Sequence, residues 1–174
     1  MLKGEDIVVL LKLTGGARDW TVRALEEGTG VPRSVAHRSL KRLGEAGLVD
    51  EGHRRVLLTQ SEEFLVHGLK YVFPPAWRGE ARGTLTAWAA PPLADVISSS
   101  MQVLPPVWPD PLGNARGLAL LPLHPAASEA ARRDPELGER LALVDALRAG
   151  DARIRGVAKE LLLAKLGGVA HSGA

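Results

Sequence analysis

The sequence predicts a mainly α-helical chain with one small β-hairpin, and three observations predict it. Apolar residues recur at helical spacing over residues 1–73 and again from Ser128 to about Gly168. Between these stretches, ten of the twelve prolines fall in residues 74–127, at positions 74, 75, 91, 92, 105, 106, 109, 111, 122 and 125. That density excludes long helices and central strands there. Finally, the polar run 50–55 lies between Leu48-Val49 and Val56-Leu57-Leu58-Thr59, the pattern of two short strands around a turn.

Taken in order, Ile7, Leu10 and Leu11 give a first helix with one apolar stripe, stopped by Gly15-Gly16. Thr21 is placed to cap a second helix running to about Glu27, with Val22 and Leu25 inward. Gly28-Thr29-Gly30 turns the chain into a third helix, where Pro32 near the first turn needs no amide partner. In that helix Ala36, Leu40 and Leu43 sit at i, i+4 and i+7 on one apolar face. Ser34, His37, Arg38 and Lys41 fall opposite, with Arg42 at the edge of that group. Gly47 ends it. Ser61, followed by Glu62 and Glu63, is placed to begin a fourth helix with Leu65, Leu69 and Val72 inward and His67 half-buried.

Residues 74–127 carry Trp77, Trp88 and Trp108 and the run Leu118-Ala119-Leu120-Leu121. A solvated tether lacks tryptophans, so this segment is expected to be an ordered, irregular layer with one or two short strands or helices. Beyond it, Asp134-Pro135-Glu136 starts a helix with Leu137, Leu141 and Val144 inward. Gly150-Asp151 then stops it and caps another, lined by Ile154, Ala158 and Leu161 until Gly167-Gly168. Residues 128–168 are thus expected to form a helical hairpin. The chain divides into 1–73, 74–127 and 128–168.

Composition narrows the function. Hydrophobic residues make up 45% and charged residues 24% of the 174, as in soluble globular proteins. The absence of cysteine removes disulfides and thiolate chemistry. No apolar run approaches the ~18 residues of a spanning helix, and Met1-Leu2-Lys3-Gly4-Glu5-Asp6 is unlike a secretory signal, so a cytoplasmic location without membrane association is expected. Sixteen arginines against six lysines point to a GC-rich bacterial coding sequence. The formal charge is only +2, yet residues 31–59 hold six basic and three acidic residues, a local +3. Positive charge is therefore concentrated around the third helix and the hairpin.

Helix, then two helices joined by a tight turn, then Gly47-Leu48-Val49 leading into an arginine-tipped hairpin, resembles the winged helix-turn-helix family of bacterial regulators, MarR-like and similar groups, over about Leu2 to Val72. The resemblance implies a DNA-binding transcriptional regulator, a repressor working as a homodimer on double-stranded DNA. It implies that Arg33, Ser34, His37, Arg38 and Lys41, with Arg42 beside them, face the major groove. The turn Gly52-His53-Arg54-Arg55 is then the wing, placing His53, Arg54 and Arg55 on the backbone or minor groove, and Thr21 touches phosphate. Two departures stand out: Pro32 replaces the usual small polar cap, and the wing is short.

The five histidines (37, 53, 67, 124 and 171) are scattered without metal-ligand spacing, and neither Gly28-Thr29-Gly30 nor Ser98-Ser99-Ser100 sits in a phosphate-loop or serine-hydrolase frame. No catalytic residue, metal or cofactor is expected, and the chain is not read as an enzyme. An antitoxin-like module that binds a protein encoded in the same operon is the alternative, with Trp77 and Arg78 as anchors. The bland alternative for Trp77 and Trp88 is a cover over the helical core. A sensor holding a small apolar effector within 74–166 has no fingerprint in the sequence.

Overall fold

The computed structural model describes residues 1–16, 20–52, 54–98 and 103–171, with side chains through Leu166. It is mainly α-helical. The first half runs α1 (Gly4–Leu13), α2 (Val22–Thr29), α3 (Arg33–Glu45), β1 (Val49–Asp50), β2 (Arg55–Val56), α4 (Leu58–Glu63), a π turn (Phe64–Gly68) and α5 (Leu69–Val72). The second half has β3 (Trp77–Leu85), two 3-10 turns (Ala87–Ala89 and Leu93–Asp95), β4 (Pro106–Pro109), β5 (Ala115–Leu120), α6 (Ala127–Arg133), α7 (Pro135–Ala149) and α8 (Ala152–His171).

The local signals that start and stop helices act as the residues suggest. The Thr21 hydroxyl accepts from the Ala24 amide at 3.0 Å. Asp134 accepts from the Leu137 amide at 3.2 Å, and Asp151 from that of Ile154 at 2.9 Å. At the end of α3, Gly47 turns left-handed (φ +75°). The Gly47 amide donates to Gly44 O at 3.1 Å and the Leu48 amide to Leu43 O at 3.0 Å. This paired closure needs a residue without a Cβ penalty at position 47, and it tucks Leu48 under Leu43.

Several expectations are corrected. The first helix has no single stripe, because Ile7, Val8, Val9, Leu10 and Leu11 are all fully buried. Helix α1 packs on α3 and α2 and also on α7, so it is covered all round. The second hairpin strand stops at Val56: the Leu57 amide makes a last bond to Leu48 O at 2.9 Å, and Leu58-Thr59 already open α4. Ser61 is not a cap; it is buried within α4 and its hydroxyl donates to Leu48 O at 3.1 Å. The π turn that follows inserts a residue into the helical phase, so Leu65 and Leu69 stay buried while Val72 and His67 are exposed. Helix α8 continues past Gly167-Gly168 to His171.

Proline density also misleads about strands. β3 is nine residues long and pairs with both other strands: antiparallel with β4 (Thr84 opposite Trp108) and with β5 (Ala81 opposite Gly117). β4 and β5 pair in parallel, closing a small three-stranded barrel. The prolines bound the strands, at 74–75 and 105–111, and the run 76–90 is free of them. Closure at this size needs backbones in direct contact. A β-carbon on Gly83 would stand 1.9 Å from Trp108 O, and one on Gly117 2.0 Å from Pro105 O.

One hydrophobic cluster runs from Ile7 to Leu166 and includes residues of the barrel and its turns, Ala87, Leu93 and Trp108. Helix α7 is buried along most of its length, and a polar group in it, Asp145, is enclosed with it. The Asp145 carboxylate accepts from Thr86 Oγ1 at 2.8 Å, Trp108 Nε1 at 2.7 Å and Arg148 Nη1 at 2.7 Å. Arg148 Nε donates to Phe73 O at 2.8 Å. Burial pushes the Asp145 carboxyl above its usual range, against the pull of Arg148, Thr86 and Trp108. The cluster locks α7 to the barrel and to the end of α5. Replacing Arg148 with Met leaves that carboxylate buried without its cation, so equilibrium denaturation is expected to show a loss of about 3–5 kcal/mol. Adding Asp145→Asn to Arg148→Met is expected to restore part of it.

Candidate nucleic-acid interface

The third helix sorts its residues sharply by face. Ala36, Ser39, Leu40 and Leu43 are buried against α1 and α2, while Arg33, Ser34, His37, Arg38 and Lys41 are exposed. Among the described residues, Arg38 and Lys41 form no ion pair or hydrogen bond, so their charge is available to a partner. Arg33 is exposed but engaged: its Nε pairs with Glu26 Oε2 at 2.5 Å, and its amide donates to Glu26 Oε1 at 3.3 Å. The Arg33 side-chain bond holds the Glu26 carboxyl below the usual carboxylate range. This contact spans the turn between α2 and α3 and fixes the start of α3, where Pro32 offers no capping side chain.

Arg42 belongs elsewhere. It is 16% exposed, and its Nε and Nη2 donate to the two carboxylate oxygens of Asp6 at 2.8 and 2.7 Å. Asp6 is fully buried and also accepts from the Lys3 amide at 2.7 Å; Glu5 lies 3.4 Å from the same guanidinium. The two-pronged pair ties α3 to the start of α1. The signal for it was an aspartate heading an apolar run, one turn before residues that admit no other charge.

Arg54, on the turn between β1 and β2, and Arg55, the first residue of β2, are exposed, with Arg55 3.6 Å from Asp50 and Arg54 in no ion pair among the described residues. His53, expected at the same tip, lies outside the described residues. Thr21 is exposed at the start of α2, its hydroxyl used as the cap described above. Trp77 and Arg78 are on β3, far along the chain from this face: Trp77 is half-buried against Trp88, the rings 6.1 Å apart and tilted by 50°, and Arg78 is exposed with Nη1 on Trp77 O. The structure thus brings Ser34, His37, Arg38 and Lys41 onto one exposed helical row, and it withdraws Arg42 from that row.

Residues 7–52, about a quarter of the chain, match the family model of the IclR helix-turn-helix domain. No curated protein matches the chain. No solved structure matches it either. The matched stretch runs from within α1 through α2, α3 and β1, and with the hairpin it is the winged helix-turn-helix of a DNA-binding transcriptional regulator acting on double-stranded DNA. Among the described residues, no helix is long and apolar enough to cross a membrane.

The two sets of cations on α3 are expected to separate by their effect on stability. Arg42→Ala orphans the buried Asp6 carboxylate and should lower the unfolding free energy by about 3–5 kcal/mol. Arg38→Ala and Lys41→Ala, both on the exposed row, should each stay within about 0.5 kcal/mol of the parent in the same urea titration.

Proposed function

We propose that the chain is a repressor that binds operator DNA as a homodimer, with α3 in the major groove and the β1–β2 turn against the backbone. The observation that carries this is the exposed row of α3, where Arg38 and Lys41 have no partner among the described residues while the opposite row is fully packed. Arginine offers a planar fork that fits guanine edges or phosphate, and lysine a point charge for phosphate. In this assignment Ser34, His37, Arg38 and Lys41 read or position the DNA, and Arg33 contributes once Glu26 releases it. Arg54 and Arg55, with His53 between them and Gly52, supply backbone contacts, and Thr21 sits at the α2 amide end facing phosphate. Arg42 is left out of the contacting set.

We assign DNA reading to residues 1–73 and pairing between copies to the hairpin within 128–168. Because α7 is buried, pairing would fall to the outer side of α8. The order of the three helices ahead of the hairpin supports a MarR-like grouping for the DNA-binding half, and a cytoplasmic location follows from operator binding. The antitoxin-like alternative would grip its partner with the proline- and tryptophan-rich layer and the helical hairpin, with Trp77 and Arg78 as anchors, and Trp77 already packs on Trp88.

The test is a mobility-shift assay with the DNA immediately upstream of the protein's own gene. Arg38→Ala combined with Lys41→Ala is expected to weaken binding at least tenfold, in line with about 1–3 kcal/mol for a good base contact. It should also flatten the slope of log affinity against log salt. Unchanged affinity would remove the basis for placing α3 in the groove.

A further inference from the structure

The described structure contains one charged side chain that is enclosed and has no partner. Arg140, on α7, is 5% exposed, and its Nε is buried with no hydrogen-bond acceptor. Among the described residues, its guanidinium takes part in no ion pair or hydrogen bond. Arg148, also buried, has Asp145 and two backbone carbonyls, and the partly buried Arg42 has Asp6. A guanidinium carries five donors and is charged at every physiological pH, so sealing its Nε from water without an acceptor is unfavourable. Such a group calls for an anion.

Its surroundings point the same way. A β-carbon built on Gly15 would stand 3.8 Å from Arg140 Nη1 and 4.0 Å from Nη2, so the fork faces the bare backbone that follows α1. Position 15 carries no side chain, which leaves room beside the guanidinium. Lys12 is the second cation of this corner, and its ammonium reaches Asp134 at 2.6 Å. Asp134 is the carboxylate close enough to sense Arg140, but its oxygens are held by Lys12 and the Leu137 amide. Two cations therefore share one carboxylate, and the positive charge left over is on Arg140.

We propose that Arg140, with Gly15 and Lys12 beside it, is the binding site for a small oxyanion, a carboxylate or a phosphate, at the junction of α1 and α7. The fork of the guanidinium accepts two oxygens of either group, and the bare Gly15 backbone admits them. Because α1 underlies the DNA-reading helices and α7 carries the barrel, an occupant here bears on how the two halves are held. The site does not depend on how α3 meets DNA.

Thermal unfolding of the full chain tests this. Sodium phosphate and sodium acetate are titrated separately against sodium chloride at matched ionic strength, for the parent and for Arg140→Met. At tenfold excess over its dissociation constant, the anion that fits should raise the parent Tm by about 3 °C relative to chloride, and the shift should keep growing with the logarithm of anion concentration. General exclusion of phosphate from protein surfaces acts on both proteins alike. Arg140→Met, which removes the unpaired charge, should be at least as stable as the parent in chloride and should lack the parent's excess shift. The phosphate and acetate arms separate the two oxyanion classes. Equal shifts in both proteins, or no shift with either anion in the parent, would overturn the proposal. Where Arg140→Met does not fold, Arg140→Lys takes its place: it keeps the charge without the fork, and retention of the full shift would likewise overturn it.

Discussion

The structure depends on α1 having no exposed side. Five consecutive residues, Ile7 to Leu11, are fully buried, which requires neighbours all round the helix. α2 and α3 supply part of that cover and α7 supplies the rest. A helix-turn-helix standing alone would leave one flank of α1 in water, and here the C-terminal half occupies that flank. The orientation of α3, and so of any surface it offers to DNA, is fixed against the same helix on which α7 rests. The Asp6–Arg42 pair reinforces this from the charged end of α1, holding α3 in register by two parallel hydrogen bonds to a fully buried carboxylate.

A second anchor binds the barrel to this scaffold. Asp145 gathers one donor from the turn after β3, one from β4 and one from its own helix, while Arg148 reaches back to the chain leaving α5. Desolvating such a group is unfavourable, and well-packed apolar residues often stabilise as much. What the cluster adds is direction: each donor has a fixed geometry, so the barrel has one seat on α7. Together the two anchors make the proline-rich segment part of the core. Trp108 illustrates it, with its ring in the hydrophobic cluster and its indole nitrogen on Asp145.

Features governed by local chemistry were legible in the sequence. The two faces of α3, the left-handed glycine that closes it, and the caps at Thr21, Asp134 and Asp151 each follow from a few neighbouring residues and are found in place. What was not legible depends on partners distant in the chain. Periodicity assigns α1 a stripe because it cannot register a second neighbour arriving 130 residues later. Arg42 lies at the edge of the basic face in sequence, and only the fold brings Asp6 beneath it. The phase of the helix after residue 58 was lost to a π turn, which no residue pattern announced, and with it the places of Val72 and His67. The proline density of the whole segment hides β3, because the run 76–90 contains none. Arg140 gives no signal in the sequence, since an unpaired buried charge is visible only in three dimensions.

The most direct measurement is hydrogen–deuterium exchange of the full chain with and without an operator duplex. Added protection is expected on the exposed row of α3, Ser34 to Lys41, and on the turn that joins β1 to β2, with β3 unchanged. Protection concentrated on Trp77 to Leu85, with α3 exchanging as in the free protein, would contradict the account.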